Sequence, residues 1–191
     1  MVSLTKGQKV SLTKNGLSKL MVGLGWDEVE KKRSFFGFQE EDIDCDAFAF
    51  LLRNGKLHDN DIVAYFNLKH NSHAVKHMGD NLTGAGDGDD EQIFINLTKL
   101  PDDVDRIIIG VNIYQARQRK QHFGKIRNAF IRLVNDENDI EMYRYDLSGD
   151  YDQKTAVIFG EVYRYKGEWK FKPIGEGTTD NSIKEVARRY C

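Results

Sequence analysis

The sequence predicts an all-β protein, on three observations. Its apolar residues recur at every second position rather than at helical spacing, its connections are marked by Gly, Asn and Asp, and it has only two prolines, Pro101 and Pro173. Alternation begins at residues 9–13, and a glycine-interrupted apolar run follows at 19–25. Strand-like segments come next at 43–52, 61–66, 92–97 and 106–114, then at 123–134, 140–145, 156–165 and 168–174. They are rich in Val, Ile, Phe and Tyr, which fit a pleated, half-buried surface. Their separators carry the residues that tolerate turn geometry. Tyr163-Arg164-Tyr165 and Trp169-Lys170-Phe171, joined by Lys166-Gly167, read as a hairpin. Many short strands with few helices lead to a sandwich or a barrel. One short helix is expected at 181–189, with Asp180 or Asn181 as its N-cap and a basic C-terminal end. No repeat, linker or low-complexity tract divides the chain, so residues 1–191 are expected to form one domain.

A chain of 191 residues buries roughly 70% of its unfolded surface, enough for a core without disulfide staples. Its 28 basic and 30 acidic residues nearly cancel, which argues against a whole-protein attraction to nucleic acid or anionic lipid. Cys45 lies within an apolar run and Cys191 at the end of the sequence. Two such cysteines make no disulfide framework and suit a reducing compartment. The first residues show no apolar signal-peptide core, and runs such as 48–52 and 107–109 are too short to span a bilayer. A cytoplasmic protein is therefore expected, and the Asn-x-Thr triplets at Asn81 and Asn96 are read as chance matches.

The informative stretch is residues 79–91, Gly79-Asp80-Asn81-Leu82-Thr83-Gly84-Ala85-Gly86-Asp87-Gly88-Asp89-Asp90-Glu91. It holds five carboxylates, and no Lys or Arg occurs between Lys76 and Lys99. Unit charges a few ångströms apart repel by several kcal/mol near a protein surface, a conflict that a hard dication removes. Calcium takes six to eight oxygens at about 2.3–2.6 Å in flexible geometry, and Asp, Glu, Asn and backbone carbonyls supply them. Asp80 and Glu91 occupy the first and last places of a twelve-residue span. Leu82 and Gly84 stand where an EF-hand needs ligands, however, and no helical pattern flanks the loop. Residues 85–90 approach one turn of a calcium-binding β-roll, but nothing repeats. A solvated acidic turn is the plain alternative.

A second acidic pair, Asp44 and Asp46, projects from one strand face whose continuation, Phe48, Phe50 and Leu52, is apolar. Carboxylates in that position need neutralising or must lie at the rim. Metal coordination, a salt bridge and solvent exposure all satisfy this. Asp27, after Gly23-Leu24-Gly25-Trp26, is a third candidate.

The segments Gly23-Leu24-Gly25-Trp26-Asp27, Ile43-Asp44-Cys45-Asp46-Ala47-Phe48-Ala49-Phe50-Leu51-Leu52 and 79–91 occur in the order seen in the TerD family of tellurium-resistance and general stress proteins. The resemblance continues through residues 130–135, 156–161 and 167–171, covers nearly the whole chain, and is most specific in the 79–91 loop. It implies a two-sheet β-sandwich that binds two calcium ions in loops at one end. The implied metal residues are Asp80, Asn81, Asp87, Asp89, Asp90 and Glu91, with Asp44 and Asp46 opposite and Asp27 beside them. Cys45 and Phe48 depart from the Leu and Ser of the family pattern, and residues 28–41 are unusually charged.

Other constellations point elsewhere. His70, His73 and His77 precede Asp80 and offer imidazoles for zinc, but their spacing fits no zinc motif, and solvent-exposed loop histidines are the commoner and preferred explanation. Residues 114–132 carry Arg117, Arg119, Lys120, Lys125, Arg127 and Arg132 with Tyr114, Phe123 and Phe130 interleaved. This is either a solvated basic loop or a face for a phosphate-bearing ligand such as a cyclic nucleotide. No Gly-x-Ser-x-Gly elbow or P-loop is present. The expectation is a non-catalytic, calcium-dependent stress-response module acting through other stress-response proteins, a membrane-associated complex among the candidates, without inserting in the membrane or binding nucleic acid. The alternatives are a metal-dependent phosphoester hydrolase on the acidic rim and a small-ligand sensor on the 114–132 face.

Overall fold

The structure is a computed structural model that describes residues 7–27, 42–79, 88–147 and 151–191. Two antiparallel sheets face each other. The first runs β1 (Val10–Ser11), β11 (Glu168–Thr178), β10 (Ala156–Tyr165), β7 (Arg106–Ile113), β3 (Cys45–Arg53), β4 (Lys56–Val63). The second runs β5 (Val75–His77), β6 (Glu91–Asn96), β2 (Lys19–Asp27), β8 (Arg127–Asn135), β9 (Ile140–Asp146). A single-turn helix, α1 (Ala116–Arg119), follows β7, and a short C-terminal helix, α2 (Ile183–Ala187), lies outside the first sheet.

Period-two patterning decides which side chains meet. On β3, Cys45, Ala47, Ala49 and Leu51 enter the main core with Leu20, Val22 and Leu24 of β2 and Ile93 and Ile95 of β6. The alternate residues Phe48, Phe50 and Leu52 enter a second core against Ile183, Val186 and Ala187 of α2. That is why β3 reads as an unbroken apolar run: both of its faces are covered.

The expected hairpin is present, with Arg164 opposite Trp169 and positive φ at Lys166 and Gly167, as a two-residue turn matching strand twist requires. A second such hairpin joins β3 to β4 through Asn54 and Gly55, at φ 51° and 75°. Several expected boundaries are corrected. β4 begins at Lys56 rather than at 61 and ends before Ala64, because the Asn-Gly turn starts it early. Phe123–Lys125 is a 3-10 turn and β8 starts at Arg127. Residues 9–13 give only the two-residue β1 before a 3-10 turn. The N-cap of α2 is Ser182, whose Oγ accepts the Glu185 N–H at 3.2 Å, while the Glu185 carboxylate accepts the Asn181 N–H at 2.8 Å. Among the described residues, no helix is long and apolar enough to cross a membrane.

Candidate functional site

The acidic rim forms where β2 ends and where β3 and β6 begin. Antiparallel pairing places Leu24 of β2 opposite Glu91 of β6, so the segment entering β6 runs back over the Gly23–Asp27 end of β2. The β2–β8 register shifts between Gly25 and Asp27, a bulge that re-aims the backbone there. The Trp26 N–H donates to Asp90 Oδ2 at 2.9 Å, and the Asp90 N–H donates to the Leu24 carbonyl at 2.7 Å. The Trp26 indole nitrogen donates to the Ile43 carbonyl at 3.1 Å, tying the residues before β3 to the same end.

Glu91 lies deepest, 1% exposed. Its Oε2 accepts the Ala47 N–H at 2.7 Å, and His77 Nε2 stands 3.4 Å from the same oxygen. His77 Nδ1 accepts the Gly79 N–H, so the neutral imidazole carries its proton on Nε2, toward Glu91. Asp44 and Asp46 are also buried; Asp46 pairs with Asn112 of β7, and the Asp44 carbonyl accepts the Tyr114 N–H. The Cys45 thiol between them registers the local charge: burial pushes its pKa well up, and Asp46, Asp44, Glu91 and Asp90, in that order, push it further. Four of the carboxylates expected at the site therefore lie on the same end of the sandwich as this thiol, within range to act on its charge. Burial also raises the Asp90 pKa, the Trp26 N–H opposes this, and the charges of Asp89 and Asp27 add to the rise.

Two site residues have partners that sequence reasoning missed. Asp89 has a side chain 1% exposed, and its oxygens accept Arg132 Nε at 2.8 Å and Nη2 at 3.0 Å. Asp27, exposed at the end of β2, accepts from Asn128 Nδ2 at 2.6 Å. Asp80, Asn81 and Asp87 lie outside the described residues, as do residues 28–41. Among the described residues, no three His, Cys, Asp or Glu side chains form a metal-holding group.

The histidines have separate partners. His70 Nδ1 accepts the Ser72 N–H at 3.1 Å, which leaves Nε2 to donate to Asp61 Oδ1 at 2.9 Å, whereas His77 faces Glu91. Asp61 is also paired with Arg53, which reaches Asp103 at 2.6 Å. The 114–132 stretch does not form one basic face. Arg119 stacks over Tyr114, 5.2 Å from its centroid, Phe123 is buried, and Arg132 is committed to Asp89 and Glu141.

A two-sheet antiparallel sandwich with a carboxylate-lined rim is the class that fold and site define. Residues 1–190 match the TerD domain, and the chain belongs to the TerD family. It is 50% identical to the stress response protein SCP2 of Bacillus subtilis (strain 168), over 99% of this chain and 98% of that protein. It is also 50% identical to the tellurium resistance protein TerD of Serratia marcescens, over 92% of this chain and 90% of that one. Among solved structures, a homologue of telluride resistance protein from Streptomyces coelicolor A3(2) superposes with a TM-score of 0.74 at 20% identity, over 92% of this chain and 99% of that one, a likeness of fold.

Proposed function

We propose that this chain is a calcium-binding stress-response module of the tellurium-resistance type, without a catalytic step of its own, working in the cytoplasm through partner proteins. The observation that carries the reading is that consecutive acids at the entry to β6, Asp90 bonded to the Trp26 N–H of β2 and Glu91 bonded to the Ala47 N–H of β3, are fixed at the end of the sandwich where β3 begins with buried Asp44 and Asp46. This all-oxygen, negatively charged donor set fits a hard dication and is poorly suited to zinc or copper. Asp44, Asp46, Asp90 and Glu91 would hold the ions, two in number, with Asp27 at the edge and Asp80, Asn81 and Asp87 completing the shell. Asp89 contributes least as a ligand, because Arg132 already meets its charge.

Calcium brings a doubly positive charge to a rim where several carboxylates lie at one end of the sandwich. Asp90 and Glu91 carry its effect into the fold: one is bonded to β2 and the other to β3, so order at the rim is order in both sheets. The ordered rim then serves as the surface a partner recognises.

A thermal melt of chelator-stripped protein, with calcium and with magnesium, tests the reading. Calcium at about a thousand times its dissociation constant stabilises the fold by about 4 kcal/mol, while magnesium, which needs stricter geometry, gives little. Identical melts with and without calcium would discard it.

A further inference from the structure

We infer that Arg132 is a positioning residue for the acidic rim, acting through Asp89: it supplies from β8 the cation that residues 77–98 lack and orders the entry to β6 before any ion arrives. The inference deepens the calcium reading and rests on it for its functional consequence, though the ordering itself stands on contacts within the chain.

Asp89 sits in a built seat. Position 23 of β2 is glycine, and a Cβ there would collide with the Asp89 carboxylate. At Gly25 a Cβ would collide with the Gly88 carbonyl and the Phe130 ring. Residues 88 and 89 therefore lie against the outer face of β2 because two side chains are missing from it. Into this seat Arg132 places its two-pronged guanidinium, while Gln92 Nε2 approaches Asp89 Oδ2 at 3.3 Å. Arg132 is itself held from the other side. Its Nη1 donates to Glu141 Oε2 at 3.2 Å, and Arg144, stacked 3.6 Å above Phe130, stands 3.8 Å from the same carboxylate.

The consequence runs along the chain. Three consecutive acids are fixed by three different elements: Asp89 by Arg132 of β8, Asp90 by Trp26 of β2, and Glu91 by Ala47 of β3. Without Arg132, Asp89 becomes an uncompensated buried charge that already repels Asp90. Asp89 then leaves its seat for water, and Asp90, as the next residue, is drawn off the Trp26 N–H. A site whose ligands are already placed binds more tightly, because less ordering remains to be done on binding.

Amide hydrogen exchange by NMR on the full chain, in chelator and then in calcium, tests this with the parent, Arg132→Gln, Arg132→Lys and the double variant Asp89→Asn/Arg132→Gln. In chelator, Arg132→Gln speeds exchange at Trp26 and Asp90 by about tenfold or more while Ile109 and Val162 of the first sheet keep the parent's rate. Arg132→Lys, which retains the charge and loses the fork, falls between. The double variant exchanges no faster than Arg132→Gln, because the arginine acts through the aspartate. Parent rates at Trp26 and Asp90 in Arg132→Gln overturn the inference, as does uniform acceleration of every amide, the mark of a merely structural residue. An absence of any calcium effect on the parent overturns the calcium reading instead and leaves the chelator comparison to decide the role of Arg132.

Discussion

The Glu91 carboxylate of β6 accepts the backbone N–H of Ala47 of β3 at 2.7 Å, a bond between the two sheets rather than within one. A carboxylate with 1% exposure ties the two sheets together at the rim, next to Asp90, which is bonded to the Trp26 N–H of β2. Hydrogen bonds to a charged group contribute about 1.5–3 kcal/mol, and the like charges of the neighbours work against that gain. The same residue thus serves the fold and the proposed ion site, with opposite electrostatic demands.

Glu91→Gln separates the two roles. The amide oxygen still accepts from Ala47, while one negative charge leaves the cluster. The chelator-stripped variant is expected to melt at or above the parent's temperature, and its rise on adding calcium to shrink. Paired melts of the two proteins check this. A variant that melts lower without calcium and gains as much as the parent with it would remove Glu91 from the ligand set.

The Arg53–Asp61–His70 network gives a pH prediction. Burial pushes the Asp61 pKa up, but the hydrogen bonds from Arg53 and His70 outweigh it and hold the group below its ordinary value of 3.8. A carboxyl whose folded pKa is depressed contributes stability that is fully present above the unfolded pKa and is lost as pH falls through the folded one. Asp61→Asn should therefore cost about 2 kcal/mol at neutral pH, the scale of hydrogen bonds to a charged group, since Arg53 keeps Asp103 as a partner, and progressively less below about pH 4. Urea unfolding of both proteins across that range measures the difference.

The elements most legible in the sequence were those whose own residues set them. β7, β10 and the Lys166-Gly167 hairpin follow from alternation and turn chemistry. The three-residue β5 offers too little periodicity to see, and α1 is one turn with left-handed residues, Gln115 and Lys120, at both ends. The Asn54-Gly55 turn is itself a hairpin signal, and it starts β4 at Lys56, ahead of the apolar run at 61–66. At the rim, the carboxylates were visible as residue types and their partners were not. Arg132 stood in a stretch that looked uniformly basic, and only the pairing of β8 with β2 turns it onto Asp89. Likewise, the diagonal approach of His77 to Glu91 depends on β5 pairing with β6, which no spacing in the sequence states.

Ser182 caps the helix that covers the second core. Ser182→Ala removes the acceptor for the Glu185 N–H and is expected to cost about 1 kcal/mol. Because α2 seals Phe48 and Phe50, the loss should appear in global unfolding, as a lower urea midpoint with an unchanged slope. A lower slope would instead show that the helix frays on its own.

Gly23 tests the rim from the side opposite Arg132. In Gly23→Ala the new methyl group occupies the place of the Asp89 carboxylate, a charged group that must then leave its partner while the β2–β6 and β2–β8 ladders stay intact. The displaced Asp89 leaves Arg132 with Glu141 as its remaining partner and frees the entry to β6. Calcium affinity should fall by roughly tenfold, about 1.4 kcal/mol, with the melting temperature in chelator changing much less. Calorimetric titration of calcium into both proteins measures it. Combining Gly23→Ala with Arg132→Gln should add little further loss, since both changes empty the same seat, and independent additive losses would show that the glycine and the arginine act on the rim by separate routes.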